Sequence, residues 1–180
     1  MIPNHNYLIV SAIGTHRLEI LPDLARACFQ CGCNVLNSKM SALGQDMAII
    51  LFLRGNWGAI AKMEALLPNL AQRLGLTIQI HRTQEAVQSD QTISYSIQVV
   101  AIDKIGILSG ISDFFQKFAV QIEEMSSYTY RSSAGTQMIS LHFKIHISNK
   151  LHLATLRVQF MSYCDDNNLD SFMEPLKAPA

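Results

Sequence analysis

One pattern occurs twice, 87 residues apart, and it limits most strongly how this chain can fold. Gly14 to Leu21 aligns with Ala101 to Leu108, and each stretch follows an alternating apolar run and precedes a helical pattern. The apolar positions stay in step along the helices, where Leu24 aligns with Ile111. Solenoid repeats have shorter periods, so this one indicates two copies of a whole domain.

The first copy shows alternating strand patterns and helical spacing in the order βαββαβ. The predicted elements are a strand over 7–13, a helix over 20–30, strands over 33–43 and 47–53, a helix over 57–74 and a strand over 76–82. Pro68 predicts an interruption or kink in the second helix. Trp57, at the start of that helix, is interpreted as a packing anchor.

The second copy repeats this order, with Asn149 as the expected N-cap of its second helix. The predicted elements are a strand over 93–102, a helix over 107–118, strands over 121–131 and 137–147, a helix over 149–161 and a strand over 169–173. The polar stretch 83–92 is the predicted linker between domains 1–82 and 93–180. Two such units predict an α+β protein with two ferredoxin-like domains, each an antiparallel four-stranded sheet with helices on one face.

Charge and hydropathy exclude several classes of protein. The 14 Lys and Arg balance 14 Asp and Glu, so the net charge is zero, and no basic run suggests direct nucleic-acid binding. The first residues lack the pattern of a signal peptide, and no apolar run reaches the length of a membrane span. We therefore expect a cytoplasmic protein without direct contact to nucleic acid or membrane.

The cysteine cluster is the first candidate metal site. Cys28, Cys31 and Cys33 are closely spaced, but a zinc site usually needs a second ligand pair, and beyond them the chain has only Cys164 and scattered histidines. Because the predicted helix would place Cys28 and Cys31 on its apolar face, we interpret them as core residues. We predict no metal at this cluster.

No motif indicates an enzyme, since the chain lacks a phosphate-binding loop, a nucleophile elbow and a zinc-protease motif. His142 and His146 share one face of a predicted strand, where they could meet at a metal, but an exposed sheet face with histidines is the simpler interpretation. Glu123 and Glu124 are neighbours on a strand, so we expect them on opposite faces. We predict a non-catalytic protein that uses no cofactor.

The turn Asp103–Leu108 is the strongest candidate binding site. A strand that leads directly into a helix leaves backbone N–H groups unpaired at the helix start, and these donors and the helix dipole attract a carboxylate or another small anion. Gly106 has no Cβ where the backbone or a ligand must approach closely.

Together, the repeated βαββαβ units and the strand–turn–helix motif resemble tandem ACT domains, which are modules that sense small molecules and usually amino acids. Four motifs resemble, more narrowly, the family of glycine cleavage system transcriptional repressors. They are Ala12-Ile-Gly-Thr-His-Arg17, Cys31-Gly-Cys-Asn34, Ser38-Lys-Met-Ser-Ala-Leu-Gly44 and Gly55-Asn-Trp-Gly-Ala-Ile60.

This resemblance implies a cytoplasmic regulator that binds a DNA-bound transcriptional activator protein, with glycine relieving the association. An ACT regulatory protein that controls an enzyme of amino-acid metabolism is the alternative. ACT ligands often lie between the turn of one domain and the start of the second strand of another, which implies pairing of domains within a chain or in a homodimer. The implied ligand-binding residues are Gly14, His16, Arg17, Asn34, Val35, Asp103, Lys104, Ile105, Gly106, Ile107, Leu108, Gln121 and Ile122.

The two turns depart from the usual Asp-Arg-Pro-Gly-Ile of ACT domains in different ways. The first has Glu19 at the glycine position, where its carboxylate would repel a ligand carboxylate. The second keeps Asp103 and Gly106. If only one turn binds a ligand, we expect the second to do so, with Lys104 and the free N–H groups on the carboxylate and Asp103 on the ammonium.

Overall fold

The structure is a computed structural model that describes residues 5–85, 92–149 and 151–176. It divides the chain into two compact units, Met1–Val87 and Gln88–Ala180. Unit 1 contains β1 (Asn6–Thr15), α1 (Ile20–Cys31), β2 (Asn34–Leu43), β3 (Asp46–Gly55), α2 (Trp57–Leu74) and β4 (Thr77–Thr83). Unit 2 contains β5 (Thr92–Ile102), α3 (Ile107–Lys117), β6 (Gln121–Arg131), β7 (Gln137–Ser148), α4 (Leu153–Asp166) and β8 (Asp170–Pro175).

Both units have the predicted βαββαβ order, and the fold class is confirmed. The sheets are antiparallel, with the strand orders β2-β3-β1-β4 and β6-β7-β5-β8. Residues 86–91, which are most of the predicted linker over 83–92, lie outside the described residues, so the domain boundaries stay a prediction.

Each sheet buries one face because buried residues alternate along its central strands. In β1, Leu8, Val10 and Ala12 are buried and join the buried residues of α1 and α2 in one hydrophobic core. The intervening Ile9 and Ser11 lie on the opposite face and are half-buried. Alternation with a period of two therefore puts the helices on one face and leaves the other open.

The two cores use side chains of different size at equivalent positions. Cys28 of α1 corresponds to Phe115 of α3, and both are buried. Phe115 stacks on Phe160 and meets Phe143 edge to face, so aromatic rings fill the core of unit 2. The equivalent position in unit 1 holds the much smaller Cys28 side chain.

The repeat extends to the irregularities of the backbone. Gly32, after α1, has φ +77°, and Ala119, 87 residues later, has φ +51°. β2 and β6 each contain a β-bulge near their start, at Leu36 and at Glu123, again 87 residues apart. Matching bulges strengthen the evidence for two copies of one domain, because bulges are specific local features.

Two local predictions were wrong, and one of the two alternatives at Pro68 does not occur. The last helix begins at Leu153 rather than at Asn149, because β7 continues to Ser148 and the Leu151 N–H then donates to the Ser148 carbonyl in a turn. The second helix is not interrupted at Pro68, and a kink there stays a prediction. Trp57 is 67% exposed and anchors no core, because it is the first residue of α2.

Candidate functional site

The two strand–turn–helix segments are anchored to their sheets by the same hydrogen bond. The His16 N–H donates to the Gln45 carbonyl, just before β3, over 3.2 Å. The Asp103 N–H donates to the Gln137 carbonyl, at the start of β7, over 2.9 Å. In each unit, the hairpin between the second and third strands therefore fixes the position at which the turn begins.

A cation in each turn binds the C-terminal end of the second helix of its unit. The Arg17 guanidinium donates to the Leu74 carbonyl at the end of α2. Lys104 Nζ donates to the carbonyl of Asn167, the C-cap of α4, over 3.2 Å. Carbonyls at helix ends lack intrahelical partners and carry partial negative charge, so these contacts stabilise both turns.

The turns differ at the residue before the helix. Gly106 precedes α3 with φ +97°, in the left-handed region, and an added Cβ would have only Ser109 Oγ near it, at 3.9 Å. Glu19 precedes α1 with φ −77°, and its carboxylate lies 3.4 Å from the Arg17 guanidinium. The second turn therefore has free space at the residue before the helix, whereas the Glu19 carboxylate occupies that place in the first turn.

This geometry agrees with comparisons to known proteins. The family model of the ACT domain matches residues 6–81. The chain is 27% identical over 169 residues to the glycine cleavage system transcriptional repressors of Escherichia coli K12 and of Shigella flexneri, across 93% of this chain and 88% of each relative. Unit 1 therefore matches the ACT domain, and unit 2 repeats its arrangement of strands and helices.

Solved structures show the same fold along nearly the whole chain. The crystal structure of a protein provisionally assigned as a glycine cleavage system transcriptional repressor has a TM-score of 0.74 and 20% identity, and the match covers 97% of this chain and 99% of that one. A protein from Galdieria sulphuraria has a TM-score of 0.76 and 22% identity, and the match covers 97% and 100% of the two chains. Both matches show the arrangement of elements.

No helix within the described ranges is long and apolar enough to span a membrane.

The side chains of the second turn have different environments. Ile107 is buried in the core of unit 2, whereas Ile105 is fully exposed, as is most of Leu18 at the equivalent place in the first turn. Leu108 is partly exposed. A ligand at the helix start would therefore meet Ile107 through its N–H group rather than through its side chain.

Gly14 has a packing role. A Cβ at this position would lie 2.7 Å from Leu76 Cδ2 and 3.0 Å from the Gly75 carbonyl oxygen. The absence of a side chain therefore lets the end of β1 approach the chain just before β4. This contact accounts for Gly14 without a ligand.

The other predicted ligand-binding residues lie far from the turns of their own units. Asn34 and Val35 pair with the end of β3, which in turn pairs with the start of β1. Gln121 and Ile122 pair with the end of β7, next to the start of β5. At about 3.3 Å per residue, each strand separates these positions from the turn by roughly 25–30 Å. Neither unit by itself brings the two parts of the predicted site together.

The cysteine cluster belongs to the core of the first ACT domain. Cys28, Cys31 and Cys33 are all buried. Burial, with smaller contributions from the neighbouring Cys33 and Cys31, raises the pKa of the Cys28 thiol to about 11. The thiolate needed for metal binding or nucleophilic attack is therefore disfavoured at Cys28.

The two strand histidines have separate partners. His142 Nε2 lies 3.2 Å from Ser140 Oγ, and His146 Nδ1 lies 3.0 Å from Ser94 Oγ. Four residues along a strand span about 13 Å, too far for both rings to bind one metal. Among the residues that the structure describes, no group of three His, Cys, Asp or Glu side chains could hold a metal ion.

The prediction that Glu123 and Glu124 point to opposite faces was wrong. Glu123 is the extra residue of the bulge in β6, and its carboxylate lies 2.9 Å from Lys144 Nζ and 2.8 Å from His146 Nε2 on the open face. Glu124 pairs with Lys144 in the ladder and lies on the same face. The bulge interrupts the alternation on which the prediction depended.

Proposed function

We propose that this protein is a non-catalytic, amino-acid-responsive regulator that represses the glycine cleavage system by binding a DNA-bound transcriptional activator. The similarity to two such repressors along 93% of the chain supports the regulatory role. The single observation that supports amino-acid sensing is the open left-handed Gly106 at the start of α3, beside Lys104.

The second turn offers the chemistry of an α-amino acid site. The first N–H groups of α3 have no intrahelical acceptor, and together with the helix dipole they favour a carboxylate. Lys104 uses one N–H on Asn167, and an ammonium has three, so it can still donate to that carboxylate. The exposed Asp103 provides a negative charge for the ligand ammonium.

The first turn is the weaker candidate. The Glu19 carboxylate already lies beside Arg17, at the point where the second turn is open. A ligand carboxylate at this place would meet a like charge, which disfavours binding. We therefore expect one glycine per chain. Asn34, Val35, Gln121 and Ile122 could contribute to a site only from another unit, for example in a homodimer.

Calorimetric titration with glycine tests this site. We compare the wild type with Gly106→Ala and with Gly44→Ala as a matched control. Gly44, in the β2–β3 hairpin of unit 1, has φ +67° and open space around its Cβ position, so alanine imposes a similar backbone strain in the unit that does not contain α3. We expect the control to bind one glycine per chain and Gly106→Ala to bind at least tenfold more weakly. Equal affinity for the two variants would contradict the assignment.

Affinity capture tests the partner. The tagged protein should retain a DNA-binding activator from an extract of its own cells, and added glycine should release it. Capture of an amino-acid-metabolising enzyme instead would support the alternative of an enzyme regulator and would contradict the repressor assignment.

A further inference from the structure

A groove of about 280 Å³ lies between α1 and α2 in unit 1, and two arginines flank it. The Asp23 side chain is only 11% exposed, and its two carboxylate oxygens accept from different partners. Arg26 Nη1 lies 2.7 Å from Oδ1, and Arg73 Nη1 lies 2.9 Å from Oδ2. One largely buried carboxylate therefore fixes both guanidinium groups.

The groove is suited to bind carboxylates. The Arg26 and Arg73 side chains are each 62% exposed, so their remaining N–H groups are available to an acceptor outside the chain. Two cations with one anion leave a local charge of +1. Guanidinium groups held in place lose less side-chain entropy on binding and match the geometry of a carboxylate.

The equivalent positions in unit 2 have the opposite charge. Arg26 corresponds to Asp113, 87 residues later. Leu74 and Asn167 are equivalent because each supplies the carbonyl that the turn cation binds. The residues just before them, Arg73 and Asp166, therefore also correspond. Both aspartates are exposed, and within the described ranges neither forms an ion pair.

These aspartates lie on the same surface of α3 and α4. A Cβ at Gly110 of α3 would come closer than 3.0 Å to the Tyr163 hydroxyl oxygen of α4, and Asp113, three residues after Gly110, lies on the same side of α3. Asp166 is three residues after Tyr163 on α4 and therefore lies on the same side of the helix. We name Asp113 and Asp166 the acidic helix face.

The opposition of charge extends to whole units. Residues 1–87 contain seven Lys and Arg against five Asp and Glu, and residues 88–180 contain seven against nine. The zero net charge of the chain therefore consists of +2 in unit 1 and −2 in unit 2. A second copy of the chain offers each unit a surface of opposite sign.

We propose that the arginine groove of one copy binds the acidic helix face of a second copy, so that Arg26 and Arg73 face Asp113 and Asp166. A two-fold axis relates the copies, and each dimer contains this contact twice. The contact uses the helical layers, and the open sheet faces stay accessible.

Charge reversal with mixing tests this dimer by sedimentation velocity. One variant carries Arg26→Glu and Arg73→Glu, and the other carries Asp113→Lys and Asp166→Lys. We expect a wild-type dimer and, for each variant alone, a dimer dissociation constant raised about 100-fold, because like charges then face each other. An equimolar mixture should form a heterodimer, in which both contacts again join opposite charges.

Two controls distinguish loss of the dimer contact from misfolding and from the change in total charge. A control variant with Asp170→Lys and Glu174→Lys changes the total charge as much as the aspartate variant does, but on exposed residues of β8. We expect this control to remain a dimer. If the arginine variant fails to fold, the aspartate variant decides alone, because its residues are exposed. A monomeric wild type, a dimer that tolerates reversal, or a mixture that stays monomeric would overturn the proposal.

Discussion

Gly110 and Tyr163 provide a sharp test of how α3 packs on α4. An added Cβ at Gly110 would come closer than 3.0 Å to the Tyr163 hydroxyl oxygen, whereas the next ring atom, Cζ, would lie 3.7 Å away, at ordinary contact distance. The hydroxyl group alone therefore causes the conflict. Gly110→Ala should destabilise the protein when Tyr163 is present and should not do so in a Tyr163→Phe background.

The expected free energies have opposite signs in the two backgrounds. Overpacking costs about 1–3 kcal/mol, and alanine gains at most about 1 kcal/mol over glycine inside a helix. With tyrosine we expect Gly110→Ala to lower the free energy of unfolding by about 1–2 kcal/mol. With phenylalanine we expect a gain of about 0.5–1 kcal/mol, so the coupling between the two sites should be about 1.5–3 kcal/mol.

Urea denaturation of the four proteins measures this coupling. Near-ultraviolet circular dichroism of tyrosine follows mainly unit 2, because four of the five tyrosines lie there and Tyr95, Tyr128 and Tyr130 remain in all four proteins. The single tryptophan, Trp57, lies in α2 of unit 1, so its fluorescence serves as an internal control and should give the same unfolding midpoint in all four proteins. An equal effect of Gly110→Ala in both backgrounds would refute the packing that we describe.

Three further predictions concern single features. Ala119→Gly should stabilise unit 2 by about 1 kcal/mol, because Ala119 has the left-handed φ that Gly32 adopts in unit 1. Denaturant titration measures this gain, and an unchanged unfolding midpoint would argue against that conformation. Arg82 lowers the pKa of Glu64 from its ordinary value of 4.5, so Arg82→Gln should destabilise the protein slightly at pH 7 and by less as the pH falls below 4.5; the same loss at pH 3 would count against the pair. The Cys28 thiol, with its raised pKa, should react with a disulfide reagent at pH 8 only after unfolding, and fast labelling of the native protein would contradict its burial.

Most of the fold follows from local sequence patterns. The repeat and the alternation of apolar residues predict both βαββαβ units, because a period of two assigns each strand residue to one face. The bulge at Glu123 could not be predicted, since one extra residue leaves no clear mark on the pattern. The start of α4 was misplaced because Asn149 has the chemistry of an N-cap but lies in a turn instead.

The candidate site was less predictable than the fold. The sequence shows that Lys104 and Arg17 carry charge in the turns, but their partners are the backbone carbonyls of Asn167 and Leu74, which have no residue-specific signal. The distance between Asn34 and the first turn depends on which strands pair. The alternating pattern does not specify that pairing.

An NMR titration with glycine tests the central claim most directly, because it reports each backbone N–H separately. We expect the signals of Ile107, Leu108 and Ser109, at the start of α3, to shift and saturate at one glycine per chain. The signals of Glu19 and Ile20, in the first turn, should stay unchanged. Shifts confined to the first turn, or no shift in either turn, would contradict the assignment of the amino-acid site to unit 2.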